Sequence, residues 1–367
     1  MKIIISGGGT GGHVFPAIAI ADEIKNIKPD AQILFIGAKG KLEMEKVPKA
    51  GYSIKGLRIS GFQRKLTFKN IINLFHLVIS LWKAYWIIKK FDPDVAVGVG
   101  GYASGPPLQV ASWLDIPILI QEQNSYPGIT NKILAKKAAK ICVAYPNMEQ
   151  FFPKEKILVT GNPVRKHLSI DERQRAEGFS YFGLQKAKKT ILLFGGSLGA
   201  KTLNIAMRFN WEVIEQWKDI QVLWQVGNLY YDAYKDCETA MLPNVEIRPF
   251  LDRMDLAYAI ADVVICRAGA LTISELAQLG KPAVLIPSPN VAEDHQTANA
   301  QALVSKAAAV LVRDEDATIE MLPKAIHILR NDAHRDQLNQ QIKLFAKSSA
   351  AEVIASEVIN LVVNQSD

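Results

Sequence analysis

Residues 1–16, MKIIISGGGTGGHVFP, decide the fold of the first half of the chain. The apolar run 1–6 has the length of a short buried strand, and the glycines at 7–12 lead straight into an apolar-periodic segment that starts at Ala17. This order predicts an α/β unit whose turn can approach a bulky anion, because glycine has no side chain and a helix N-terminus offers unpaired N–H groups. A tight turn without a ligand is the alternative, and the five glycines count against it.

The sequence of the turn also fits a dinucleotide-binding fingerprint. Gly7, Gly9 and Gly12 satisfy G-x-G-x-x-G. That fingerprint needs an acidic residue at the end of the second strand to bind the ribose hydroxyls. The predicted second strand, 32–36, runs into Gly-Ala-Lys-Gly without an acid. A nicotinamide-dependent oxidoreductase is therefore disfavoured.

The same order of elements returns in the second half. Residues 190–194 have a strand pattern and lead into GGSLGAKT at 195–202, which misses a P-loop because Ala200 replaces its second glycine. Two such openings, each heading about half of the 367 residues, predict two similar domains. We expect these domains at 1–162 and 163–345, and the charged stretch 161–183 is interpreted as a linker.

Short apolar runs alternate with helical patterns along both halves of the chain. Such alternation predicts an α/β fold with parallel sheets covered by helices on both faces. An amphipathic final helix is predicted at 350–363. The predicted strands are 2–6, 32–36, 95–99, 116–120, 139–144, 157–159, 190–194, 221–225, 245–249, 263–266, 283–286 and 309–311.

Composition narrows the functional classes. The net charge of +7 is modest for this length and no nucleic-acid-binding motif accompanies it, so we expect no nucleic-acid partner. Cys142, Cys237 and Cys266 fit neither a disulfide framework nor a zinc site, which favours buried thiols in a reducing compartment. No signal peptide is expected, because the glycine turn interrupts the apolar start.

Polar residues that directly follow strands are the candidate ligand contacts, because open parallel sheets bind ligands beyond the carboxyl ends of their strands. QEQN at 121–124 offers three amides and a carboxylate, which suit a sugar with many hydroxyls. RAGALTISE at 267–275 combines a glycine with a helix start for an anion, and Glu275, expected on the first turn, suits the ribose hydroxyls. The alternative treats the threonine and serine of this run as helix caps and Glu275 as compensation for the helix dipole.

Residues 71–91 form a strongly apolar segment with two possible roles. A spanning helix needs about 20 predominantly apolar residues, and polar residues interrupt this segment. The segment alone slightly favours a buried core helix. The other role is a helix in a bilayer interface, with aromatic rings at headgroup level and lysines on anionic lipid. The polar residues, which form one narrow stripe at helical spacing, are Asn73, His76, Ser80 and Lys83.

Seven motifs, in order along the chain, resemble the MurG family of bacterial glycosyltransferases. They are GGTGGHVFP at 8–16, GGYASGP at 100–106, EQN at 122–124, GNPVR at 161–165, GGSLGA at 195–200, RAGALTISE at 267–275 and DHQ at 294–296. The resemblance implies transfer of GlcNAc from UDP-GlcNAc to undecaprenyl-pyrophosphoryl-MurNAc-pentapeptide in peptidoglycan synthesis. It thereby implies a role in cell wall biogenesis, cell shape and cell division.

The resemblance further implies a GT-B fold, in which two Rossmann-like domains with parallel sheets face each other across a cleft. The N-terminal domain would face the acceptor and the membrane, and the final helix, about 346–367, would pack back on it. The C-terminal domain would bind UDP-GlcNAc. The residues implied for UDP-GlcNAc are Thr10, Gly11, Gly12, Asn124, Arg165, Ser197, Leu251, Ala270, Leu271, Thr272, Ile273, Ser274, Glu275 and Gln296. Those implied for the acceptor are Gly9, Thr10, His13, Gly101 and Tyr102.

The implied chemistry is an inverting displacement, in which the 4-hydroxyl of MurNAc attacks the anomeric carbon and UDP leaves. His13 is the predicted base, because an imidazole titrates near neutral pH, and Glu122 is the alternative. Helix N-termini and Arg165 would stabilise the departing UDP, so neither a metal nor a cofactor is expected and UDP-GlcNAc is a substrate. The acidic runs at 92–94 and 314–316 are interpreted as solvated turns.

A lipid-linked acceptor shifts the interpretation of 71–91 towards a peripheral membrane patch of Trp82, Trp86, Lys89 and Lys90. The expected location is the cytoplasmic face of the inner membrane. The expected partners are UDP-GlcNAc, the lipid-linked acceptor, an anionic membrane surface and other cell-wall synthesis proteins. Two alternatives stay open: another GT-B enzyme that uses a UDP-sugar, such as a lipid glycosyltransferase or a 2-epimerase, and a non-catalytic nucleotide-sugar-binding membrane scaffold.

Overall fold

The computed structural model describes residues 1–59, 68–164, 170–291 and 294–364, without the side chains of 68–72. It divides into two compact units, Met1–Arg165 with Lys347–Asp367, and Lys166–Ala346. The sequence predicts the division after residue 162 and the return to the first domain at about 346. Within the described ranges no helix is both long and apolar enough to cross a bilayer.

The first unit is a seven-stranded parallel sheet in the order β3-β2-β1-β4-β5-β6-β7. Its elements are β1 (Lys2–Ser6), α1 (Gly11–Ile27), β2 (Gln32–Ala38), α2 (Glu43–Lys49), β3 (Ser53–Leu57), α3 (Phe68–Phe91), β4 (Val95–Gly98), α4 (Gly105–Trp113), β5 (Ile118–Glu122), α5 (Ile129–Leu134), β6 (Lys140–Val143), β7 (Ile157–Val159) and, at the far end of the chain, α15 (Ala350–Val363). The central strands are buried along their length, as expected when helices cover both faces of a parallel sheet.

Helix α15 belongs to the core of the first unit. It packs against α1, and its Ile354, Ala355 and Val358 are fully buried in one cluster with Val14 and Ile20. The chain therefore leaves the first unit, builds the second and returns.

The second unit is a six-stranded parallel sheet in the order β10-β9-β8-β11-β12-β13. Its elements are α6 (Glu172–Phe182), β8 (Lys189–Phe194), α7 (Lys201–Phe209), α8 (Trp211–Glu215), β9 (Ile220–Gln225), α9 (Tyr231–Tyr234), β10 (Val245–Arg248), α10 (Met254–Ile260), β11 (Val263–Cys266), α11 (Ala270–Leu279), β12 (Ala283–Leu285), α12 (His295–Val304), β13 (Val310–Leu311), α13 (Ala317–Arg330) and α14 (Asp332–Lys343). Trp224 on β9 is fully buried in its core.

Both sheets reverse their strand order beside the strand that opens the unit. The reversal lies between β1 and β4 in the first sheet and between β8 and β11 in the second. In doubly wound folds the loops at the carboxyl ends of these strands form the ligand crevice. The predicted doubly wound parallel sheets are thus confirmed, and the topology selects the glycine-rich turns after β1 and β8 as site loops.

Two predictions from the sequence were wrong. Strand β3 was missed, because its SIKGL sequence lies at the sheet edge, where exposure alternates instead of forming an apolar run. Residues 172–182 are not a linker but helix α6, which packs on α10. Its ends carry ordinary signals: the Asp171 carboxylate accepts from Gln174 N at 2.7 Å, and Gly183 ends the helix with φ of 68°.

Candidate active site

The glycine turns after β1 and β4 are packed backbone to backbone. A Cβ atom at Gly101 would lie 2.4 Å from the carbonyl oxygen of Gly8, and Gly101 has a φ of +75°. A Cβ atom at Gly100 would lie 2.9 Å from Cδ2 of His13. Glycine is therefore required here by close approach and by the left-handed backbone. The two turns bring His13 to the carboxyl edge of the sheet.

His13 lies in the first turn of α1, next to exposed backbone. Its Nδ1 is 3.1 Å from Oγ1 of Thr10, which fixes the orientation of the half-buried ring. Thr10 and Gly12 are exposed, so a ligand can reach the N-terminus of this helix. Tyr102 borders the same turn, since a Cβ at Gly9 would lie 3.3 Å from its Cε1. Burial, followed by the nearby Glu43 carboxylate, raises the pKa of Tyr102.

Glu43 supports this turn from below and was not anticipated. It is fully buried at the start of α2, and its carboxylate accepts hydrogen bonds from Gly9 N at 3.0 Å and Ala38 N at 2.9 Å. A Cβ at Gly8 would lie 2.1 Å from its Oε1, so the carboxylate occupies the space that the glycine leaves. The acid sought at the tip of the second strand is thus present five residues after β2, but it bonds the glycine turn and is closed to ribose.

Glu122 shapes the loop after β5. Its Oε1 accepts from Asn124 N at 3.0 Å and Asn124 Nδ2 at 3.2 Å, and its Oε2 accepts from Gly128 N at 3.1 Å and Asn131 Nδ2 at 2.8 Å. Burial raises the pKa of Glu122, while these hydrogen bonds oppose the rise. The half-exposed Asn124 is thereby held in one orientation.

The neighbouring amides do not serve as sugar contacts. Gln121 and Gln123 are almost fully buried, and Gln123 Nε2 donates to the Val99 carbonyl at 2.9 Å. Gln121 Nε2 donates to Asn162 Oδ1 at 3.1 Å, and Asn162 Nδ2 donates to the Gln123 carbonyl at 3.1 Å. The expectation that the whole QEQN run would face a sugar was wrong, because these amides pair with one another and with the backbone.

In the second unit, the glycine turn after β8 is braced by the turn after β9. A Cβ at Gly199 would lie 2.0 Å from the carbonyl oxygen of Val226, and a Cβ at Gly227 would lie 2.3 Å from that of Leu198. Ser197 is half-buried at the outer side of this turn. Gly227 was not singled out from the sequence, because an isolated glycine gives no motif.

Helix α11 begins at the end of the β11 loop. Gly269 is its N-cap residue with extended backbone, so the first N–H groups, from Ala270 onwards, lie at the carboxyl edge of the sheet. Ser274 Oγ donates to the Ala270 carbonyl at 3.0 Å, so the interpretation of Ser274 as a cap was wrong. Leu271, Ile273 and Leu251 are buried, whereas Thr272 is half-buried.

Glu275 lies on the second turn of α11, not the first as expected, because the helix starts at Ala270. It is almost fully buried, and its Oε2 accepts from the hydroxyl of Tyr258 at 2.9 Å. Tyr258 on α10 therefore orients this carboxylate, a contact that no sequence pattern reveals.

Arg267 ties together the loops that follow three strands. Its Nη1 donates to the carbonyls of Ile286 and Pro287, each at 3.0 Å, and pairs with Asp314 Oδ1 at 2.5 Å. Asp314 Oδ2 also accepts from Thr202 Oγ1 at 3.0 Å. The interpretation of 314–316 as a solvated turn was thus wrong for Asp314. These contacts hold the exits of β11, β12 and β13 together and tie them to the first turn of α7, which follows β8.

The remaining predicted contacts are placed as follows. Gln296 on α12 accepts from Ser288 N at 2.9 Å through Oε1, so its amide NH₂ is the group that could bind a hydroxyl. Arg165 lies outside the described residues. Across the described ranges, His, Cys, Asp and Glu side chains form no group of three that could hold a metal ion.

Helix α3 turns an apolar face to solvent. Ser80, Ala84 and Ile88 point into the core, and Ser80 Oγ donates to the Arg58 carbonyl at 3.0 Å. Ser80, a member of the predicted polar stripe, therefore lies on the inner face of the helix. The slight preference for a buried core helix was wrong, because large apolar residues of α3 are exposed. Trp113 on α4, which packs beside α3, is also 58% exposed. Among residues 73–91, whose side chains are described, the large apolar residues exposed on α3 are Leu74, Phe75, Val78, Ile79, Trp82 and Trp86.

The comparisons with known proteins agree with this geometry. The N-terminal domain of glycosyltransferase family 28 matches residues 3–143, and its C-terminal domain matches residues 190–357. A UDP-N-acetylglucosamine–N-acetylmuramyl-(pentapeptide) pyrophosphoryl-undecaprenol N-acetylglucosamine transferase of Bacteroides fragilis is 52% identical over 363 residues, 98% of this chain and 96% of the relative. The enzyme of the same name from Flavobacterium psychrophilum is 52% identical over 366 residues, 99% of this chain and 98% of the relative.

A solved structure gives the same result at the level of the fold. The crystal structure of Acinetobacter baumannii MurG superposes with a TM-score of 0.73 at 30% sequence identity, covering 98% of this chain and 99% of that chain. The predicted GT-B fold class is confirmed by this likeness together with the two parallel sheets.

Proposed function

The chain belongs to glycosyltransferase family 28 and, within it, to the UDP-GlcNAc-dependent MurG transferases, and from this membership we propose how its residues divide the reaction. The enzyme transfers GlcNAc from UDP-GlcNAc to undecaprenyl-pyrophosphoryl-MurNAc-pentapeptide, which converts lipid I to lipid II in peptidoglycan synthesis. We assign the acceptor to the first unit and UDP-GlcNAc mainly to the second.

His13 is the proposed general base. The 4-hydroxyl of MurNAc attacks the anomeric carbon, its proton passes to the imidazole, and the bond from the anomeric carbon to UDP breaks with inversion. Thr10 Oγ1 beside Nδ1 fixes the ring, so Nε2 is the nitrogen assigned to the proton transfer. Gly101 lies next to this histidine and Gly9 lies next to Tyr102, and all three residues are assigned to the acceptor.

Glu122 remains the alternative base, and its surroundings support a different role. Four donors occupy its two oxygens, and the side chain is almost fully buried. A base in this position would have to give up hydrogen bonds that shape its own loop. We therefore assign Glu122 to holding Asn124, which with Gln296 would bind the GlcNAc hydroxyls.

The donor site is proposed at the carboxyl edge of the second sheet. The N–H groups at the start of α11 and the glycine turn that contains Ser197 would stabilise the negative charge on departing UDP, together with Arg165. Glu275, oriented by Tyr258, is assigned to the ribose, and Leu251 to the uracil. The further contacts proposed for UDP-GlcNAc are Thr10, Gly11, Gly12, Ala270, Leu271, Thr272, Ile273 and Ser274.

The exposed face of α3 is proposed to dock on the cytoplasmic leaflet that carries the acceptor. Trp82 and Trp86 are 66% and 53% exposed, and Lys89 and Lys90 follow them at the end of the helix. Aromatic rings and lysines side by side suit the headgroup region of an anionic bilayer. Trp113 extends this surface. The enzyme would thus be peripheral to the inner membrane.

The observation that carries the catalytic assignment is the contact of His13 with the glycine turns at the reversal of the first sheet. The test is transfer of radiolabelled GlcNAc from UDP-GlcNAc to a short-chain analogue of the lipid-linked acceptor by wild type and His13→Ala. We expect turnover by wild type and a loss of about 10²–10⁴-fold in the variant. Equal turnover would move the base elsewhere, with Glu122 next. Binding of UDP-GlcNAc without turnover in wild type would contradict the acceptor.

A further inference from the structure

A cavity of about 480 Å³ opens in the second unit, away from the donor loops. Asp262 and Pro282, which directly precede β11 and β12, place it at the amino ends of these strands. Helix α11 joins the two edges: it starts at the donor loop, and Gly280, which ends it, lines the cavity. Ten residues of α-helix span roughly 15 Å, so a ligand here is separate from bound UDP.

The cavity has an excess of positive charge. Arg175, Lys281, Arg335 and Lys343 line it, and Asp262 is the acidic residue among the lining side chains. This aspartate already has partners. Its Oδ1 lies 3.7 Å from Arg175 Nη2 and 3.8 Å from Lys189 Nζ, and its Oδ2 accepts from Thr190 N at 2.8 Å. The remaining cations therefore have no matching anion in the wall.

Lys281 is the most unusual of these cations. It is only 7% exposed, and its Nζ donates to the Ala261 carbonyl at 2.5 Å. Burial lowers the pKa of Lys281 to about 8, with Asp262 opposing the shift and Arg175 adding to it. Asp262, the acidic neighbour of this buried ammonium, is shared with Arg175 and Lys189. A buried ammonium that is only partly compensated is costly, and an anion in the cavity would lower that cost.

Other polar atoms of the wall are also unsatisfied. Arg335 pairs with Asp332 through Nη2 at 2.7 Å, whereas its buried Nη1 has no hydrogen-bond partner in the described part of the chain. Gln278 Oε1 and Asn339 Oδ1 are buried and equally without a partner among the described residues. Most buried polar atoms in proteins are hydrogen-bonded, so a cluster of exceptions around one cavity points to a ligand.

We propose that this cavity binds a small phosphorylated molecule, with Lys281 and Arg335 on the phosphate and the amides of Gln278 and Asn339 on neighbouring hydroxyls. Guanidinium and ammonium groups are the usual partners of phosphate, and amides suit hydroxyls. The volume lies in the range of small-molecule sites and exceeds the needs of a single ion. This site is independent of the proposed catalytic residues.

The test is calorimetric titration of the full chain with inorganic pyrophosphate in the presence of saturating UDP, which occupies the donor loops. We expect one site per chain, and Lys281→Met and Arg335→Gln should each weaken binding about tenfold or more, as loss of one charge-assisted hydrogen bond implies. Lys324→Met, an exposed lysine on α13 outside the cavity, should bind as wild type. Absence of binding under saturating UDP, or equal binding by all variants, would overturn the proposal.

A second set of variants keeps the test valid if Lys281→Met or Arg335→Gln fails to fold. An unfolding transition measured without ligand would reveal such a failure. Asn339→Leu and Gln278→Leu remove amides and leave every cation in place. With a hexose 6-phosphate as probe, we expect both variants to bind more weakly than wild type, while their affinity for pyrophosphate stays near that of wild type. If both variants bind the sugar phosphate as tightly as wild type, the role of the amides is overturned. If wild type does not bind the sugar phosphate, the proposed site itself is overturned.

Discussion

Single buried side chains organise this enzyme as much as its exposed motifs do. Glu43 fills the space beneath Gly8 and Gly9, and Arg267 joins the loops after three strands of the second sheet. The glycine turns and the strand exits at the sheet edges could be predicted from the sequence, because both have recognisable patterns. The supporting residues could not, since a lone acid on a helix or a lone arginine becomes informative only when its partners are known.

Glu43→Gln tests the support of the glycine turn. The glutamine would turn its NH₂ group towards one of the two backbone N–H groups that Glu43 now accepts from. Two buried donors would then face each other, so we expect the free energy of unfolding to fall by about 1–3 kcal/mol. A shifted turn also misplaces His13, and kcat should fall by up to about 10²-fold with a smaller change in KM. The measurements are urea unfolding and steady-state kinetics with the soluble acceptor analogue.

Glu45→Gln is the matched control for this variant, because Glu45 lies on the same helix but is exposed and pairs only with Lys46 and Lys49 among the described residues. Its loss should change stability by less than about 1 kcal/mol and leave kcat near wild type. A kcat for Glu43→Gln equal to that of the control would contradict the positioning role.

Lys281 predicts a pH dependence of stability. Its pKa falls from 10.5 to about 8 on folding, so between these values the unfolded chain holds a proton that the folded chain has released. Stability therefore rises with pH across this window, by up to about 3 kcal/mol, and is flat below it. Urea unfolding in phosphate-free buffer should show this rise for wild type relative to Lys281→Met. A difference in unfolding free energy between the two proteins that stays constant from pH 7.5 to 10.5 would refute this prediction.

At the level of elements, the sequence predicts the strands that form buried apolar runs and misses elements that are only half buried. The strands 2–6, 157–159 and 263–266 were predicted with the observed bounds, whereas the edge strand β3 was missed. Helix α3 was harder, because an apolar helix has two plausible inner faces. Packing selects the face with Ser80, Ala84 and Ile88, and the residues left outside include Trp82 and Trp86 of the proposed membrane patch.

A fourfold serine variant tests the membrane patch in a sedimentation assay with anionic vesicles. Each lysine near such a surface contributes about 1 kcal/mol, so loss of two lysines and two aromatic rings should weaken binding by more than about tenfold. The substituted residues are Trp82, Trp86, Lys89 and Lys90. The control variant changes two exposed apolar and two exposed basic residues of the second unit to serine. These residues are Ile319, Leu344, Lys306 and Lys324. Equal sedimentation of the two variants would contradict the assignment.

At the scale of the whole molecule, one chain forms two parallel sheets with the same central strand order, and each sheet is covered by its own helices. The repeat of strand, glycine turn and helix was enough to predict two domains. The stretch between them was harder to interpret, because helix α6 lies in a polar region that resembles a linker by composition alone.

Ile354→Ala tests whether α15 stabilises the first unit specifically. The side chain is fully buried against α1, so we expect a loss of about 2–5 kcal/mol. Hydrogen exchange should speed up in β1 and β4 while β8 and β11 keep their protection. Val363→Ala, at an exposed position of the same helix, should change neither. Faster exchange in both units to the same extent would show that the helix does not belong to the first unit alone.

The late return of the chain to its first unit has a consequence for synthesis on the ribosome. The core around Val14 and Ile20 is not covered until residues 350–363 have left the exit tunnel, after the whole second unit has been translated. At about 5–20 residues per second, that interval lasts on the order of 10–40 s. The unit that is made first is therefore finished last, and its nascent form exposes an apolar groove that a chaperone would have to shield in the meantime.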